Sequence, residues 1–241
     1  MLTITRGRLR VRLAEGPEDL RRAQALRHLC FRGTPGIDAD AHDARCDHVL
    51  VEEVAGGALM CCFRVMAVAD AGDLAQSYAA RFYDLTPLAA LTGPMVEMGR
   101  FCIAPGQADP DIPRLAWAAM TRLVDARGVR LMFGCTSFHG ADPALHGPAL
   151  AVLLPHVAPP GRRPVERAAE VVRLTGLPPP ADPRAAMAAL PPLLRTYLAM
   201  GGQVSDHAVI DRDLDTLHVF TAVEVDRVPP ARARALRALA D

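Results

Sequence analysis

Charged side chains in otherwise apolar segments are the residues of this sequence that could do chemistry. Arg27 lies in the apolar face of a predicted helix, and Arg64 and Glu97 interrupt apolar, strand-like runs. An acidic loop over residues 32–47 carries four further candidates: Asp38, Asp40, Asp43 and Asp47. Charged side chains are rarely buried unless they are paired. The sequence therefore indicates mutual pairing, either as structural ion pairs or as a polar site for a charged small molecule.

Each of these features also has a purely structural interpretation. Arg27 could extend its guanidinium to solvent along the helix surface, which composition alone favours. The acidic loop could be ordinary turn chemistry, with Asp43 or Asp47 capping a backbone amide. It lacks the glycine and the terminal Glu of a calcium-binding loop. Spacing alone does not choose between these interpretations.

A glycine-containing segment after a predicted strand carries Ser137, His139 and Asp142. A Ser-His-Asp triad is conceivable there, but the segment has no G-x-S-x-G elbow. The three residues are also too close in sequence to come from separate loops. The six cysteines form no C-x-x-C pair, which indicates reduced thiols rather than a zinc site or disulfides. The sequence thus favours neither a serine hydrolase nor a zinc enzyme.

The elements that must position these residues are those of a mixed α/β fold. A helix is predicted over residues 16–31, with Pro17 at its first position and acidic residues in its first turn. Apolar runs over 48–54 and 58–66, joined by an Ala-Gly-Gly turn, predict a β-hairpin. The other predicted elements are strands over 95–103, 129–135 and 218–225 and helices over 111–127 and 193–200. Strands on either side of helices are typical of a layered α/β fold.

Bulk properties exclude several classes of function. The 241 residues are predicted to form one domain, with a core over about 8–154 and a proline-rich connection and C-terminal extension over 155–241. The 27 basic residues, all of them Arg, balance 27 acidic ones, so no net field attracts nucleic acid. The first twelve residues contain no apolar signal region, and no apolar run approaches the length of a bilayer span. The predicted location is cytoplasmic, with any membrane contact peripheral.

Four motifs occur in order along residues 8–225. They are Cys46-Asp47-His48-Val49-Leu50-Val51, Glu97-Met98-Gly99-Arg100, the segment from Phe133 to Pro143, and the segment from Pro191 to Leu198. In this combination they resemble the ornithine-lipid synthases. These are L-ornithine N-alpha-acyltransferases of the GNAT superfamily, more distantly similar to acyl-homoserine lactone synthases.

The resemblance implies a GNAT-like fold, with a twisted mixed sheet flanked by helices and, here, a C-terminal extension. Central strands of that sheet part to admit the pantetheine arm of a thioester donor. The implied reaction moves a 3-hydroxy fatty acyl group from acyl carrier protein to the α-amine of ornithine, as the first step of aminolipid synthesis. The implied partners are acyl carrier protein, a small amino acid and, peripherally, the inner membrane. No metal or cofactor is implied beyond the donor's phosphopantetheine, and lysine, glutamine or glycine could replace ornithine.

The resemblance also assigns roles to residues. Glu97 and Arg100 are the catalytic candidates, with Glu97 as the general base that takes a proton from the attacking amine. The candidates for substrate binding are Arg27, Phe31, Asp40, Asp43, Asp47, Arg64 and Ser137. Regular alternation places Glu97 and Arg100 on opposite strand faces, so a shared site requires an irregular strand near Gly99. His42 stands where the family's acidic element usually has Phe, and the stretch before Asp40 is short.

The segment over residues 104–112 bears on the acyl donor. It contains a single glycine, Gly106, whereas acetyl-CoA enzymes of this fold hold the pyrophosphate with a glycine-rich loop. That difference favours acyl carrier protein, whose acidic surface Arg162, Arg163 and Arg167 could meet. Two alternatives stay open: an autoinducer-type synthase that uses S-adenosylmethionine, and a catalytically inactive lipid- or carrier-binding protein.

Overall fold

The chain, described over residues 2–240 by a computed structural model, groups into two compact units. The first comprises the chain through Ala67, Met98–Val129 and the residues from Pro230 onward. The second comprises Val68–Glu97 and Arg130–Pro229. The single domain predicted from the sequence, with a core over about 8–154 and an extension over 155–241, stays a prediction.

Secondary structure follows the sequence pattern closely. The strands are β1 (Thr3–Arg6), β2 (Leu9–Leu13), β3 (Cys46–Glu53), β4 (Leu59–Val68), β5 (Tyr83–Asp84), β6 (Met95–Ile103), β7 (Leu131–His139), β8 (Val165–Glu166), β9 (Val171–Arg173), β10 (Gln203–Asp211) and β11 (Thr216–Glu224). The helices are α1 (Gly16–Arg32), α2 (Ala71–Ala75), α3 (Asp111–Ala126), α4 (Gly147–Ala151), α5 (Pro183–Ala188), α6 (Pro192–Ala199) and α7 (Pro230–Ala240). The predicted helices, hairpin and strands are confirmed, with bounds shifted by a few residues at most.

In the first unit the strand order is β1-β2-β3-β4-β6. Neighbouring pairs from β1 to β4 are antiparallel. The apolar face of α1 packs on these strands, because Ala23 and Leu26 lie in one buried cluster with Leu50, Cys62 and Cys102. Helix α3 contacts β1, β2 and β3, and α7 packs against α3. This packing fixes α1, which carries Arg27, over the strands that carry the other candidate arginines.

In the second unit the strand order is β6-β7-β11-β10-β9. Strands β6 and β7 pair in parallel from Met95 opposite Leu131 to Glu97 opposite Phe133. Strand β11, which belongs to the predicted C-terminal extension, pairs with β7 along the whole of β7. One parallel pair among antiparallel ones confirms the prediction of a mixed sheet flanked by helices.

A polar cluster is buried inside the second unit beneath Tyr83. The Tyr83 hydroxyl donates to the backbone carbonyl of His218 at 3.0 Å and lies 3.1 Å from its ring Nδ1. The rings of His207 and His218 pack on Tyr83 at 5.2 and 5.7 Å between centroids. Burial, and secondarily the neighbouring His207, lowers the pKa of His218 to about 4. At neutral pH this ring is therefore uncharged.

Replacing His218 by Phe should make stability less sensitive to acid. The unfolded chain takes up a proton near pH 6.5 and the folded ring near pH 4, so the unfolded state gains protons first as pH falls. His218 thereby removes about 3 kcal/mol of stability between pH 7 and pH 4. Urea unfolding of both proteins at several pH values measures this difference. His139→Phe, at an exposed position, is the control, and parallel pH profiles for His218→Phe and the wild type would contradict the assignment.

Candidate functional site

Three arginines and three aspartates of the first unit form a closed ring of alternating charge. The ring runs Arg27, Asp38, Arg100, Asp40, Arg64, Asp43 and back to Arg27. Its nitrogen–oxygen distances lie between 2.6 and 3.4 Å. Each carboxylate contacts two guanidiniums and each guanidinium contacts two carboxylates. Because three positive and three negative groups are present, the ring has no net charge. We call these six residues the ion ring.

The ion ring is assembled by α1, two strands and one loop. Helix α1 ends where Gly33 adopts a left-handed φ of 69° and its N–H donates to the carbonyl of Leu29 at 3.0 Å. The chain then turns back, and the Asp38 N–H donates to the carbonyl of Gln24 at 3.1 Å. This return brings the acidic loop against α1, so that its three aspartates face Arg27 and the two strand arginines.

Arg27 is the most deeply buried member of the ion ring. Its side chain is 1% exposed, with Nε 2.7 Å from Asp38 and Nη1 2.7 Å from Asp43. The interpretation that Arg27 extends to solvent is therefore wrong. Within residues 2–240, Nη2 of Arg27 is among the buried polar atoms without a hydrogen-bond partner. This nitrogen keeps a donor that a bound anion could use.

Asp43 receives more hydrogen bonds than a solvated turn residue would. Besides the two arginines, Gln24 donates to its carboxylate at 2.9 Å. Burial alone would raise the pKa of Asp43, but the hydrogen bonds from Arg27 and Gln24 and the charge of Arg27 outweigh burial and lower it. Asp43 also begins the short 3-10 helix Asp43–Arg45, and its carbonyl lies 3.0 Å from Nε2 of His48.

Asp40 is the most accessible carboxylate of the ion ring. Its side chain is 19% exposed, and its two oxygens accept from Nη1 and Nη2 of Arg64 at 2.6 and 2.9 Å. Burial opposes ionisation, yet the hydrogen bonds and charge of Arg64 keep the pKa of Asp40 well below its usual range. Its carboxylate is therefore anionic at neutral pH.

Arg100 enters the ion ring because its backbone leaves regular strand geometry. Its φ is 54°, a left-handed value that is rare outside glycine. The irregularity predicted near Gly99 is thus present at the following residue. Nε of Arg100 lies 3.0 Å from Asp38, and its guanidinium carbon lies 5.8 Å from the ring centroid of Phe31. Phe31 therefore packs between the ion ring and the buried cluster around Leu26 and Leu50.

Glu97 belongs to the second unit, where it binds backbone amides. Its two carboxylate oxygens accept from the N–H groups of Tyr78 at 2.8 Å and Ala79 at 2.7 Å. Ala79 starts the 3-10 helix Ala79–Arg81, so the buried carboxylate holds this turn in place. The role of Glu97 as general base stays a prediction beside this structural one.

Besides Phe31, two predicted binding residues lie outside the ion ring. Asp47 pairs with Arg127, and Ser137 is an exposed residue of β7 opposite His218 in β11. Conversely, Asp38 belongs to the ion ring, although the resemblance assigned it no binding role. Its place in the acidic loop was the available signal, but loop spacing alone does not indicate which aspartates face α1.

A layer of cysteines lies next to the arginines of the ion ring. Cys30 follows Arg27 by one helical turn, while Cys62 and Cys102 lie two residues from Arg64 and Arg100. The Sγ atoms of Cys62 and Cys102 are 3.6 Å apart. All six cysteines are free, and a hydrogen bond with Cys102, together with burial, raises the pKa of Cys30. Cys30 is therefore a protonated neighbour of the ion ring.

The described part of the chain offers neither a metal site nor a membrane-spanning helix. Among residues 2–240, no group of three or more His, Cys, Asp or Glu side chains is arranged to hold a metal ion. Over the same residues, no helix combines the length and the apolar character needed to cross a membrane.

Comparison with known proteins identifies relatives along most of the chain. Residues 26–118 match the acetyltransferase (GNAT) domain family. An L-ornithine N(alpha)-acyltransferase of Rhodobacter capsulatus is 30% identical over 232 residues, which cover 89% of each chain. The enzyme of the same name from Brucella abortus is 30% identical over 92% of this chain and 86% of its own. A solved N-acyl amino acid synthase from uncultured soil microbes superposes over 97% of both chains, with 10% identity and a TM-score of 0.46.

Asp43→Asn should destabilise the fold strongly. The amide cannot neutralise the buried guanidiniums of Arg27 and Arg64, and removing one member of a buried charge set costs about 3–5 kcal/mol. Asp47→Asn is the matched control, because its partner Arg127 is 31% exposed and such pairs contribute at most about 1 kcal/mol. Urea unfolding of the three proteins gives the comparison. Equal, small losses for both variants would show that the ion ring does not stabilise the fold.

Proposed function

Because the chain belongs to the family of L-ornithine N(alpha)-acyltransferases, we propose that it transfers a 3-hydroxy fatty acyl group from acyl carrier protein to the α-amine of ornithine. The observation that carries this proposal is the similarity to the curated enzymes along nearly the whole of both chains. The GNAT domain match makes the chain an acyltransferase. We place the reaction in the cytoplasm, with the lyso-lipid product passed to the inner membrane by peripheral contact.

The ion ring supports binding of an amino-acid acceptor. A zwitterion presents a carboxylate, which suits arginines, and ammonium groups, which suit aspartates. The unused Nη2 of Arg27 is the available donor for the carboxylate, and Asp40 is the most exposed acid for an amine. The other charged groups of the ion ring already pair with one another, so the acceptor binds by replacing some of these internal ion pairs with its own. Exchange of this kind discriminates against ligands that lack either charge.

The start of α3 supports a donor without a pyrophosphate. Helix N-termini attract phosphate because their N–H groups are unsatisfied and their dipole end is positive. Here the Asp111 N–H donates to the carboxylate of Asp109 at 2.9 Å, and Asp111 adds a second negative charge in the first turn. The Asp109 carboxylate thus already occupies an N–H donor at this helix end, where the carrier's phosphopantetheine would bring a single phosphodiester, with less negative charge than the pyrophosphate of coenzyme A.

One edge of β7 supports binding of the pantetheine arm. The pairing of β7 with β6 extends to Phe133, while β7 itself continues to His139. Backbone groups along this edge can bind the amides of an extended ligand as an added strand would. We therefore assign the phosphopantetheine of the donor to this edge, and we propose that the reaction uses no other cofactor.

The arginines expected to meet an acidic carrier already have partners within the second unit. Arg162 pairs with Glu224, Arg163 lies 3.2 Å from Asp206, and Arg167 donates to the carbonyl of Ala80 at 2.9 Å. Each of these pairs is partly exposed, so an acidic surface can compete for the guanidiniums. Such competition acts mainly on the association rate and its salt dependence.

The decisive assay gives the purified protein a 3-hydroxyacyl group on acyl carrier protein or on coenzyme A, with a panel of amino acids. We expect N-acylornithine by mass spectrometry, an equal amount of released carrier thiol, and a kcat/KM for the carrier-bound donor that falls with added salt. Equal, salt-insensitive use of the coenzyme A donor would contradict the carrier assignment. Formation of a lactone from S-adenosylmethionine would indicate an autoinducer synthase, and release of no thiol with any acceptor would indicate a binding protein.

Glu97→Gln separates catalysis from structure at this residue. A general base contributes about 10²- to 10⁴-fold in rate, so we expect kcat to fall by that order while the variant stays folded. Glutamine places an amide where a backbone N–H needs an acceptor, so some loss in Tm is also expected. Asp182→Asn is a control for a carboxylate-to-amide change at an exposed helix cap, where a single oxygen accepts both backbone N–H groups, at 2.9 and 3.0 Å, so its Tm should hardly change. Near-normal kcat in Glu97→Gln, whatever its loss in Tm, would remove Glu97 from the chemistry.

A further inference from the structure

An open groove of about 550 Å³ lies within the second unit. Its buried apolar lining comes from Leu74, Ala80 and Leu85, and exposed alanines complete it at positions 71, 75 and 89. Sites for small molecules typically occupy about 300–1,000 Å³. A second cavity of the same unit, at about 50 Å³, is too small for a long ligand. The groove therefore has both the size and the lining for an apolar chain.

Small side chains create the space in this groove. Alanine occupies four of its lining positions, and longer aliphatic side chains at those positions would fill it. Three of these alanines are solvent-exposed in the protein as it stands. Exposed alanines facing a concave surface leave room for a slender ligand without exposing a large apolar patch.

Two side chains fix the backbone of the groove wall around Ala80. Glu97 binds the N–H groups of Tyr78 and Ala79 at 2.8 and 2.7 Å, immediately before Ala80. Arg167 donates to the Ala80 carbonyl at 2.9 Å. A wall fixed through its backbone on both sides does not have to be ordered when a ligand binds, which lowers the cost of binding.

The polar side chains of the lining come from β5, β8 and the residues that directly follow these strands. Strands β5 and β8 pair with each other and bring Asp84, Glu166 and Arg167 to the groove, whereas α2 contributes only apolar residues to it. The Asp84 carboxylate accepts from the backbone N–H of Thr86 at 2.9 Å. A ligand that fits this distribution is apolar along most of its length and carries a hydroxyl near one end.

We propose that this groove binds the alkyl chain of the acyl donor, and that its alanines set the accepted chain length. The inference rests on the proposed function, because acyl transfer is what brings a hydroxylated fatty chain to this protein. Glu166 already pairs with Arg173, so the Asp84 carboxylate accepts the one hydrogen bond that the chain's hydroxyl can donate. Leu74, Ala80 and Leu85 cover the methylenes. By this assignment Glu97 also acts as a positioning residue, since it fixes the wall that carries Ala80.

Ala89→Leu tests the assignment, with Ala90→Leu as the matched control. Both alanines are exposed and adjacent in the 3-10 helix Thr86–Ala90, but only Ala89 lines the groove. For Ala89→Leu we expect kcat/KM with a 3-hydroxypalmitoyl donor to fall about tenfold or more, because filling an apolar pocket discriminates strongly by ligand size. The value with a 3-hydroxyoctanoyl donor should stay within about twofold of wild type. Ala90→Leu should change neither value, and Ala75→Leu, on α2, should repeat the loss with the long donor.

Results of other kinds overturn the inference. Equal losses with both donors, or no loss with either in both groove variants, would show that the chain lies elsewhere. If the wild-type protein transfers no acyl group, the proposed function fails, and direct binding then tests the groove alone. Isothermal titration with free 3-hydroxydecanoate should show binding that Ala89→Leu weakens and Ala90→Leu does not. Absent binding, or binding unaffected by Ala89→Leu, would refute the groove as a chain site.

Discussion

The guanidinium of Arg27 loses nearly all contact with water, and the arrangement of the first unit follows from that loss. A buried charge is tolerated when carboxylates replace its hydration, and α1 itself offers none near Arg27. The carboxylates come from the loop after Gly33, which must therefore fold back along the helix. Asp38 and Asp43 are shared with Arg100 and Arg64 on β6 and β4. One desolvated cation thus ties a helix, a loop and two strands to a common position.

The other end of α1 is held by a different kind of charge network. The buried carboxylate of Glu52 in β3 accepts from Arg10 at 2.6 Å, Arg12 at 2.8 Å and Arg22 at 3.2 Å. Its arginines are considerably more exposed than Arg27, and two of them also pair with Asp19. Partly exposed arginines stay close to solvent, so this network anchors the helix without desolvating a site. Fixed at its beginning by Glu52 and at its end by the ion ring, α1 has little freedom to shift over the sheet.

Local patterns in the sequence predicted the elements that carry most of the candidate residues, whereas the partners of individual charges depended on tertiary structure. Apolar periodicity was sufficient for α1 and for the hairpin of β3 and β4, and it also marked Arg27 and Arg64 as charges needing partners. It did not identify Asp38 as a partner, because the turn at Gly33 decides which loop residues face the helix. The pattern of side chains in the sequence does not indicate that backbone amides bind Glu97. Strand β10 escaped prediction because its pairing with β11 shifts register between Val204 and Ala208, which breaks the alternation that marks a strand.

A closed loop of alternating charges has a further electrostatic consequence. Its three positive and three negative groups alternate, so its net charge is zero and the dipoles of neighbouring ion pairs largely cancel. The potential therefore decays within a few ångströms, well inside the screening length of about 8 Å at physiological ionic strength. The ion ring therefore exerts no appreciable electrostatic field at a distance, and it attracts neither a carrier protein nor a cationic amino acid from bulk solution. Whatever selects between ligands here operates only after contact, when a ligand's own charges are close enough to replace a ring member.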